Sequence, residues 1–349
     1  LKETSQAKRP VLFETDYRKL IMALKLYEID SPNLLLERNY PNTCFSLDTG
    51  IYESITHLDA SFGKGFYKEI FFDGIHIGYG HANLFKRMRF RFESDFETVE
   101  MHFALKGSSY ASGEMMPSGV SFDAHQHNII YGNSICGKME WGDQEFQLCE
   151  INLSPEFFKK FLPEDSKFFD EFRNAIDRGR SGLLMNLNRQ ITHEMYEIID
   201  GITRCERKGI FKKIYLEAKI MELLLLQLEQ LQVDDRAAVS LKKTDIDKIY
   251  AVREFLLQNI DGNSTLINLA HAVGTNEFTL KKGFKELFGT TVFGFWHDAK
   301  MEHAKKLILE ADRTIGEVSD LVGYKNQRHF SDAFKRKFGI PPSKLKRNF

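Results

Sequence analysis

Cysteine is scarce here, and what there is has no pattern. Cys44, Cys136, Cys149 and Cys205 are scattered over 349 residues, with no C-x-x-C and no zinc spacing. They read as small buried residues in a reducing compartment. Long apolar runs are missing as well. The leucine run from Leu223 to Leu226 is flanked by Glu222 and Glu229 and falls far short of a membrane span. The opening L-K-E-T-S-Q-A-K-R-P lacks the apolar core of a secretory signal. No phosphate-cradling loop or nucleophile elbow occurs, and His193-Glu194 stops short of H-E-x-x-H because position 197 is Glu. A cytoplasmic protein without catalytic residues is the expectation.

An excess of either charge is also absent from the whole, since 48 Lys and Arg meet 49 Asp and Glu for a net charge of −1. The balance hides an asymmetry. From Leu241 onward there are 19 basic and 13 acidic residues, leaving 29 and 36 for the rest. A basic C-terminal domain on an acidic partner fits a polyanion-binding module carried by something else.

What is there is a repeat. Leu269 to Gly289 reads L-A-H-A-V-G-T-N-E-F-T-L-K-K-G-F-K-E-L-F-G, and Val318 to Gly339 reads V-S-D-L-V-G-Y-K-N-Q-R-H-F-S-D-A-F-K-R-K-F-G. Gly274 maps onto Gly323 at an offset of 49, while Leu280, Phe284, Lys285, Phe288 and Gly289 map onto Phe330, Phe334, Lys335, Phe338 and Gly339 at 50. One residue has been added in the second turn. Each copy outlines a helix-turn-helix: a short amphipathic helix, a glycine able to take positive φ, and a longer helix that ends at glycine. The four-residue spacing of Leu280, Phe284 and Phe288, and of Phe330, Phe334 and Phe338, makes a buried stripe. Lys281, Lys282 and Lys285, then Arg328, Lys335, Arg336 and Lys337, are left on the other side. A helix with an apolar back and a cationic front suits a DNA groove. Between the copies, Thr290 to Leu309 fits one helix, and roughly 20 residues give about 30 Å. That approaches the roughly 34 Å turn of B-DNA.

The rest of the chain divides by texture. Residues 1–43 read as a partly helical segment, with Leu1 to Pro10 disordered and a helix from Phe13 to Tyr40 broken at Ser31-Pro32. Residues 44–153 alternate with period two. Met88, Phe90 and Phe92 oppose Arg87, Arg89 and Arg91, and Val99, Met101, Phe103 and Leu105 oppose Glu100 and His102, as in a β-barrel closed around a core or a small-molecule cavity. Residues 154–232 turn helical, with Ser154-Pro155 as a helix start and helices over Asp165 to Arg178, Leu183 to Cys205 and Ile210 to Gln232. In the last, Ile214, Ala218, Met221, Leu225 and Leu228 form a seam like that of a coiled coil. A second set, Leu216, Ile220, Leu223, Leu224 and Leu231, lets one face rest on the barrel and the other meet a twin. Residues 233–243 read as a linker. Residues 244–349 form the basic domain, with capping boxes at Thr244/Asp247 and Thr314/Glu317.

From about Asp245 to Phe349 the chain resembles the DNA-binding domain of the AraC/XylS transcription regulators. The tail I-G-E-V-S-D-L-V-G-Y-K-N-Q-R-H-F-S-D-A-F-K-R-K-F-G-I-P-P-S carries that family's signature, including F-K-x-x-F-G-x-x-P from Phe334 to Pro342. Two positions depart from it. Lys300 stands where the family usually has arginine, and Asp332 where members often place a basic base-reading residue. The N-terminal half resembles the family's cupin-like sensor more loosely, and G-T-N-E-F-x-L-K-x-G-F-K-E-L-F-G-T-T-V-F looks like the branch that regulates siderophore uptake. The resemblance implies an α+β chain with a cupin-like barrel, a helical dimerisation segment and two helix-turn-helix motifs. It also implies a homodimer that binds promoter DNA, RNA polymerase and a small-molecule effector, such as a siderophore-like compound, with no cofactor beyond it. Activation and repression are not distinguished.

Carried onto this sequence, the first reading helix presents Asn276, Phe278, Thr279, Lys281 and Lys282, and the second Asn326, Gln327, Arg328, His329 and Asp332. Lys285 and Lys335 are expected on phosphates, which position without specifying sequence. Phe278 suits a thymine methyl, Gln327 adenine and Arg328 guanine. His125 and His127 lie two apart, as paired ligands on a strand do, with His102 and His76 as possible neighbours. The sequence offers them no carboxylate partner, so no metal is assigned. Two other readings stay open: a cupin-type metalloenzyme fused to a DNA-binding module, and a DNA-binding or interaction protein without an effector.

Overall fold

The alternating residues of 44–153 form strands, and so do residues N-terminal to them. The computed structural model describes residues 21–29, 34–41, 50–60, 62–113, 116–142, 145–163, 166–232, 241, 243–309 and 313–347. It divides into two compact units, Leu1–Val233 and Asp234–Phe349. In the first, the strands run β1 (Ile21–Glu28), β2 (Leu34–Pro41), β3 (Tyr52–Ala60), β4 (Gly63–Phe72), β5 (Ile75–Leu84), β6 (Met88–Ser94), β7 (Glu97–Lys106), β8 (Ser109–Gly113), β9 (Met116–Phe122), β10 (Gln126–Asn133), β11 (Cys136–Trp141) and β12 (Glu145–Leu153). Then come α1 (Pro155–Lys159), α2 (Lys167–Asp177), the short β13 (Gly182–Leu183) and β14 (Arg189–Gln190), α3 (His193–Thr203) and α4 (Gly209–Gln232).

The helix expected from Phe13 to Tyr40 is replaced, where described, by the hairpin β1–β2. Leu24 and Leu26 alternate with Lys25 and Tyr27, and β1 pairs antiparallel with β6, Leu26 opposite Phe92. An open sheet edge supplies hydrogen bonds and a surface for Leu26 that an isolated helix would lack. Leu1 to Leu20 lie outside the described residues.

The expected closed barrel is instead two antiparallel sheets, ordered β2-β1-β6-β11-β8-β9 and β13-β10-β7-β12-β5-β4-β3, with β14 also on β10. No ladder joins them among the described residues. Side chains do: Met88 and Phe90 of one sheet pack with Ala82, Leu84 and Phe146 of the other, and the Trp141 and Phe146 rings stack with centroids 4.8 Å apart. Ala104 likewise meets Val120 and Phe122.

The outer face of the second sheet carries the helices. α1 packs on β7, capped by Ser154 Oγ, which accepts from Phe157 N at 3.2 Å. α2 matches its expected span closely. The helix expected over Leu183 to Cys205 is shortened to α3, because Asn128 bonds Met185 O (2.9 Å) and Asn188 Oδ1 (3.0 Å) and draws that segment along the edge of β10. In α4, Leu216, Ile220, Leu223 and Leu224 are buried, while Ile210, Phe211, Ile214 and Leu225 are exposed. Leu228, expected in the outward seam, turns inward. Cys149 and Cys205 are buried, whereas Cys136 is exposed; Cys44 lies outside the described residues.

The second unit is all helix: α5 (Lys243–Gln258), α6 (Leu266–Ala272), α7 (Glu277–Phe288), α8 (Val292–Leu309), α9 (Ile315–Leu321), α10 (Gln327–Phe338) and α11 (Pro342–Arg347). α5 begins at Lys243, so Thr244 sits inside its first turn and not at the cap expected of it. The Thr314/Glu317 capping box forms as expected. Residues 233–240 of the expected linker lie outside the described residues. No helix among the described residues is long and apolar enough to cross a membrane.

Candidate functional site

The two repeats fold alike. Turns at Gly274 and Gly323, with φ of 67° and 77°, join α6 to α7 and α9 to α10. The residue added in the second copy lies between this glycine and the cap, since Asn276 follows Gly274 by two and Asn326 follows Gly323 by three. Both asparagines are N-caps. Asn276 Oδ1 accepts from Thr279 N at 2.8 Å, and Asn326 Oδ1 from Arg328 N at 2.8 Å and His329 N at 3.3 Å. Both long helices close at left-handed glycines, Gly289 and Gly339, whose N–H groups donate to Lys285 O and Lys335 O, the αL form of C-cap.

α8 holds the pair together. Its N-terminal half gives Phe295, whose ring centroid lies 5.6 Å from Phe284 and 6.0 Å from Phe288 of α7. Its C-terminal half gives Met301, Ala304, Leu307 and Ile308 to one core with Phe330 and Phe334 of α10. Its 18 residues measure about 27 Å. Lys300 Nζ donates to Gly262 O at 3.0 Å and lies over the Trp296 ring at 4.6 Å, tying α8 to the α5–α6 loop.

With the apolar stripes inward, the polar residues of α7 and α10 are left out. Lys281, Lys282, Lys285, Gln327, Arg328, His329, Asp332 and Lys335 are exposed, Thr279 is half-buried, and Phe278 is 75% exposed at the start of α7. Lys281 and Lys282 pair loosely with Glu277 (3.5 Å) and Glu286 (3.7 Å), and Lys285 Nζ donates to Gly289 O at 2.6 Å. Exposed pairs of this kind contribute little and exchange readily for a phosphate.

A second cluster lies in the first unit, on the face of the sheet turned toward its partner. On β7, Glu100, His102 and Ala104 share that face, while Val99, Met101, Phe103 and Leu105 face the helices. Sequence reading took the apolar face for the interior; both faces are covered, and the polar one looks across at Phe122 of β9, 4.2 Å from the His102 ring by centroid. Glu150 of β12 stands opposite His102. Gly78 of β5 stands opposite Glu150. Tyr67 donates its hydroxyl to Glu150 across Gly78, where a β-carbon would fall 2.1 Å from that oxygen. His102 Nδ1 bonds Glu100 Oε1 at 2.7 Å, and His76 Nε2 lies 3.6 Å from Glu69. Burial, and then the Glu100 carboxylate nearby, hold the Glu150 carboxyl above the usual range.

Residues 68–243, about half of the chain, match the family model described as "Regulatory protein PchR N-terminal domain", and residues 269–348 match one described as "Helix-turn-helix domain". The chain belongs to the AraC/XylS family of transcriptional regulators. The regulatory protein PchR of Pseudomonas aeruginosa is 29% identical over 123 residues, covering 35% of this chain and 42% of that protein. The virulence regulon transcriptional activator VirF of Yersinia enterocolitica is 21% identical over 233 residues, covering 66% of this chain and 83% of that protein. Among solved structures, the C-terminal domain of AraT, a response regulator from Geobacillus stearothermophilus, is 25% identical, covers 29% of this chain and 85% of that chain, and has a TM-score of 0.28. The chain thus spans less than half the length of PchR.

In this AraC/XylS chain the residues expected at DNA all fall on α7 and α10 or their caps. The histidines divide otherwise than expected. His127 faces the helices, its Nε2 2.6 Å from Gln230 Oε1 and its Nδ1 2.9 Å from Gln227 Nε2 of α4. His125 bonds Tyr196 at 2.7 Å. The polar cluster that sequence reading missed is assembled from strands 50 residues apart along the chain; its one visible signal was the Glu100/His102 alternation.

Proposed function

We propose that the chain is a ligand-responsive regulator that binds promoter DNA through both helix-turn-helix motifs, α7 and α10 each entering a major groove on one side of the duplex. The observation that carries this reading is the sharing of α8, which gives one half to each motif's core. A single stiff helix then sets the spacing of two exposed basic helices. Phe278, Gln327 and Arg328 read bases; Lys281, Lys282, Lys285 and Lys335 hold phosphates; Thr279 and His329 flank the groove; Asn276 and Asn326 set the entry of their helices through the caps they form. Selection of duplexes from a random pool by the full chain tests this. Enrichment of one site with two separated half-sites is expected, and recovery of an unenriched pool would overturn it.

The effector, on this reading, enters the polar end of the layer between the sheets. β7 carries Glu100 and His102 on that side and Phe103 on the other. Phe103 stacks on His127 at 5.6 Å, and His127 grips α4. A ligand that moves β7 would therefore bias α4 and the segment that follows it, a population shift with the ligand as its source. The exposed seam of α4, with Ile214 57% and Leu225 54% exposed, is the proposed homodimer face. RNA polymerase is the proposed partner at the promoter.

A further inference from the structure

Three side chains from two neighbouring strands bring their donor atoms together inside the first unit. One ligand atom each from Glu100, His102 and Glu150 lies within 4.8 Å of the others. The strand register places them: Glu150 is paired with His102, and Glu100 is two residues along β7 on the same face. The Glu100–His102 bond of 2.7 Å holds the imidazole beside the carboxylate. His102 Nε2 is buried and has no hydrogen-bond partner among the described residues, a state that costs free energy unless something fills it. The His102 and Glu100 side chains are 13% and 22% exposed, so the cluster is shielded and still reachable from solvent.

We propose that Glu100, His102 and Glu150 form a binding site for a divalent transition-metal ion. Two carboxylates alone would suit magnesium or calcium; the imidazole nitrogen moves the preference toward manganese, iron or zinc. A dication also relieves the repulsion of two partly buried carboxylates. Tyr67 keeps Glu150 in place through the space that Gly78 leaves. Metal held here needs no DNA, so the site stands or falls separately from the regulatory reading.

The full chain, stripped with chelator, is titrated with Zn(II) by calorimetry and with Mn(II) by the loss of its free electron-spin signal. One ion per chain is expected. Glu150→Gln and His102→Gln are each expected to weaken binding roughly tenfold or more. Saturating Zn(II) should raise the melting temperature of the wild type and of neither variant. Absence of stoichiometric binding by the wild type overturns the proposal. So does binding of equal strength in both variants, which would place the ion elsewhere. If one variant fails to fold, the other decides.

Discussion

The carbonyl oxygen of Asp261 lies 2.3 Å from where a β-carbon on Gly323 would be. The turn of the second motif is thereby seated on the α5–α6 loop of the first, a second link between the two beside α8. Gly274, its counterpart, has the same left-handed φ but nothing within 4 Å of a β-carbon. Gly274→Ala should therefore cost only the backbone term, about 1–2 kcal/mol. Gly323→Ala should cost clearly more and lower DNA affinity, because Asp261 must move. Denaturant unfolding of both variants checks this; equal losses would mean that the two motifs are not seated on each other.

Arg328 and Lys335 sit on one helix and are assigned different tasks. Arg328→Ala is expected to relax discrimination at one base pair, costing about 1–3 kcal/mol on the preferred site and little on others. Lys335→Ala should weaken all sequences alike and shallow the salt dependence by about one phosphate contact. Titrations against two duplexes at several salt concentrations separate the cases. Uniform weakening by Arg328→Ala would remove its base-reading role.

Much of this was legible beforehand. The glycine turns and the buried phenylalanines follow from the repeat, because each depends on residues within one or two helical turns, whereas Asn276 and Asn326, expected on the reading faces, prove to be N-caps. Pairings far apart in the chain were not legible. Leu24 has the spacing of a helix and the neighbours of a strand, and only the edge of β6 decides between them. The alternation of β7 is plain in the sequence, but which face looks inward depends on α1, α3 and α4, which arrive later in the chain. The Glu100–His102–Glu150 cluster was hidden for the same reason.

Ile214 and Leu225 lie on the outward face of α4, away from the buried Leu216, Ile220 and Leu223. Ile214→Glu and Leu225→Glu are each expected to weaken self-association roughly tenfold or more while leaving monomer stability within about 0.5 kcal/mol. Sedimentation across a concentration series measures the first and urea unfolding the second. A dimer unaffected by both changes would move the interface elsewhere.

His127 is fully buried between β10 and α4, and burial lowers its pKa from 6.5 to about 4. The unfolded chain takes up this proton first as pH falls, so stability present at neutral pH is lost between about 6.5 and about 4. His127→Gln removes that dependence. The stability gap between wild type and variant should narrow by roughly 2 kcal/mol from pH 7 to pH 4.5. A gap constant over that range would show that His127 is already charged, or exposed, in the folded chain.

Hydroxyl-radical footprinting of the full chain on a selected duplex tests the two-motif arrangement most directly. Two protected patches on the same side, centred about 10 base pairs apart, are the expected result, with Lys335→Ala thinning one and Lys285→Ala the other. A single patch, or two on opposite sides of the duplex, would contradict it.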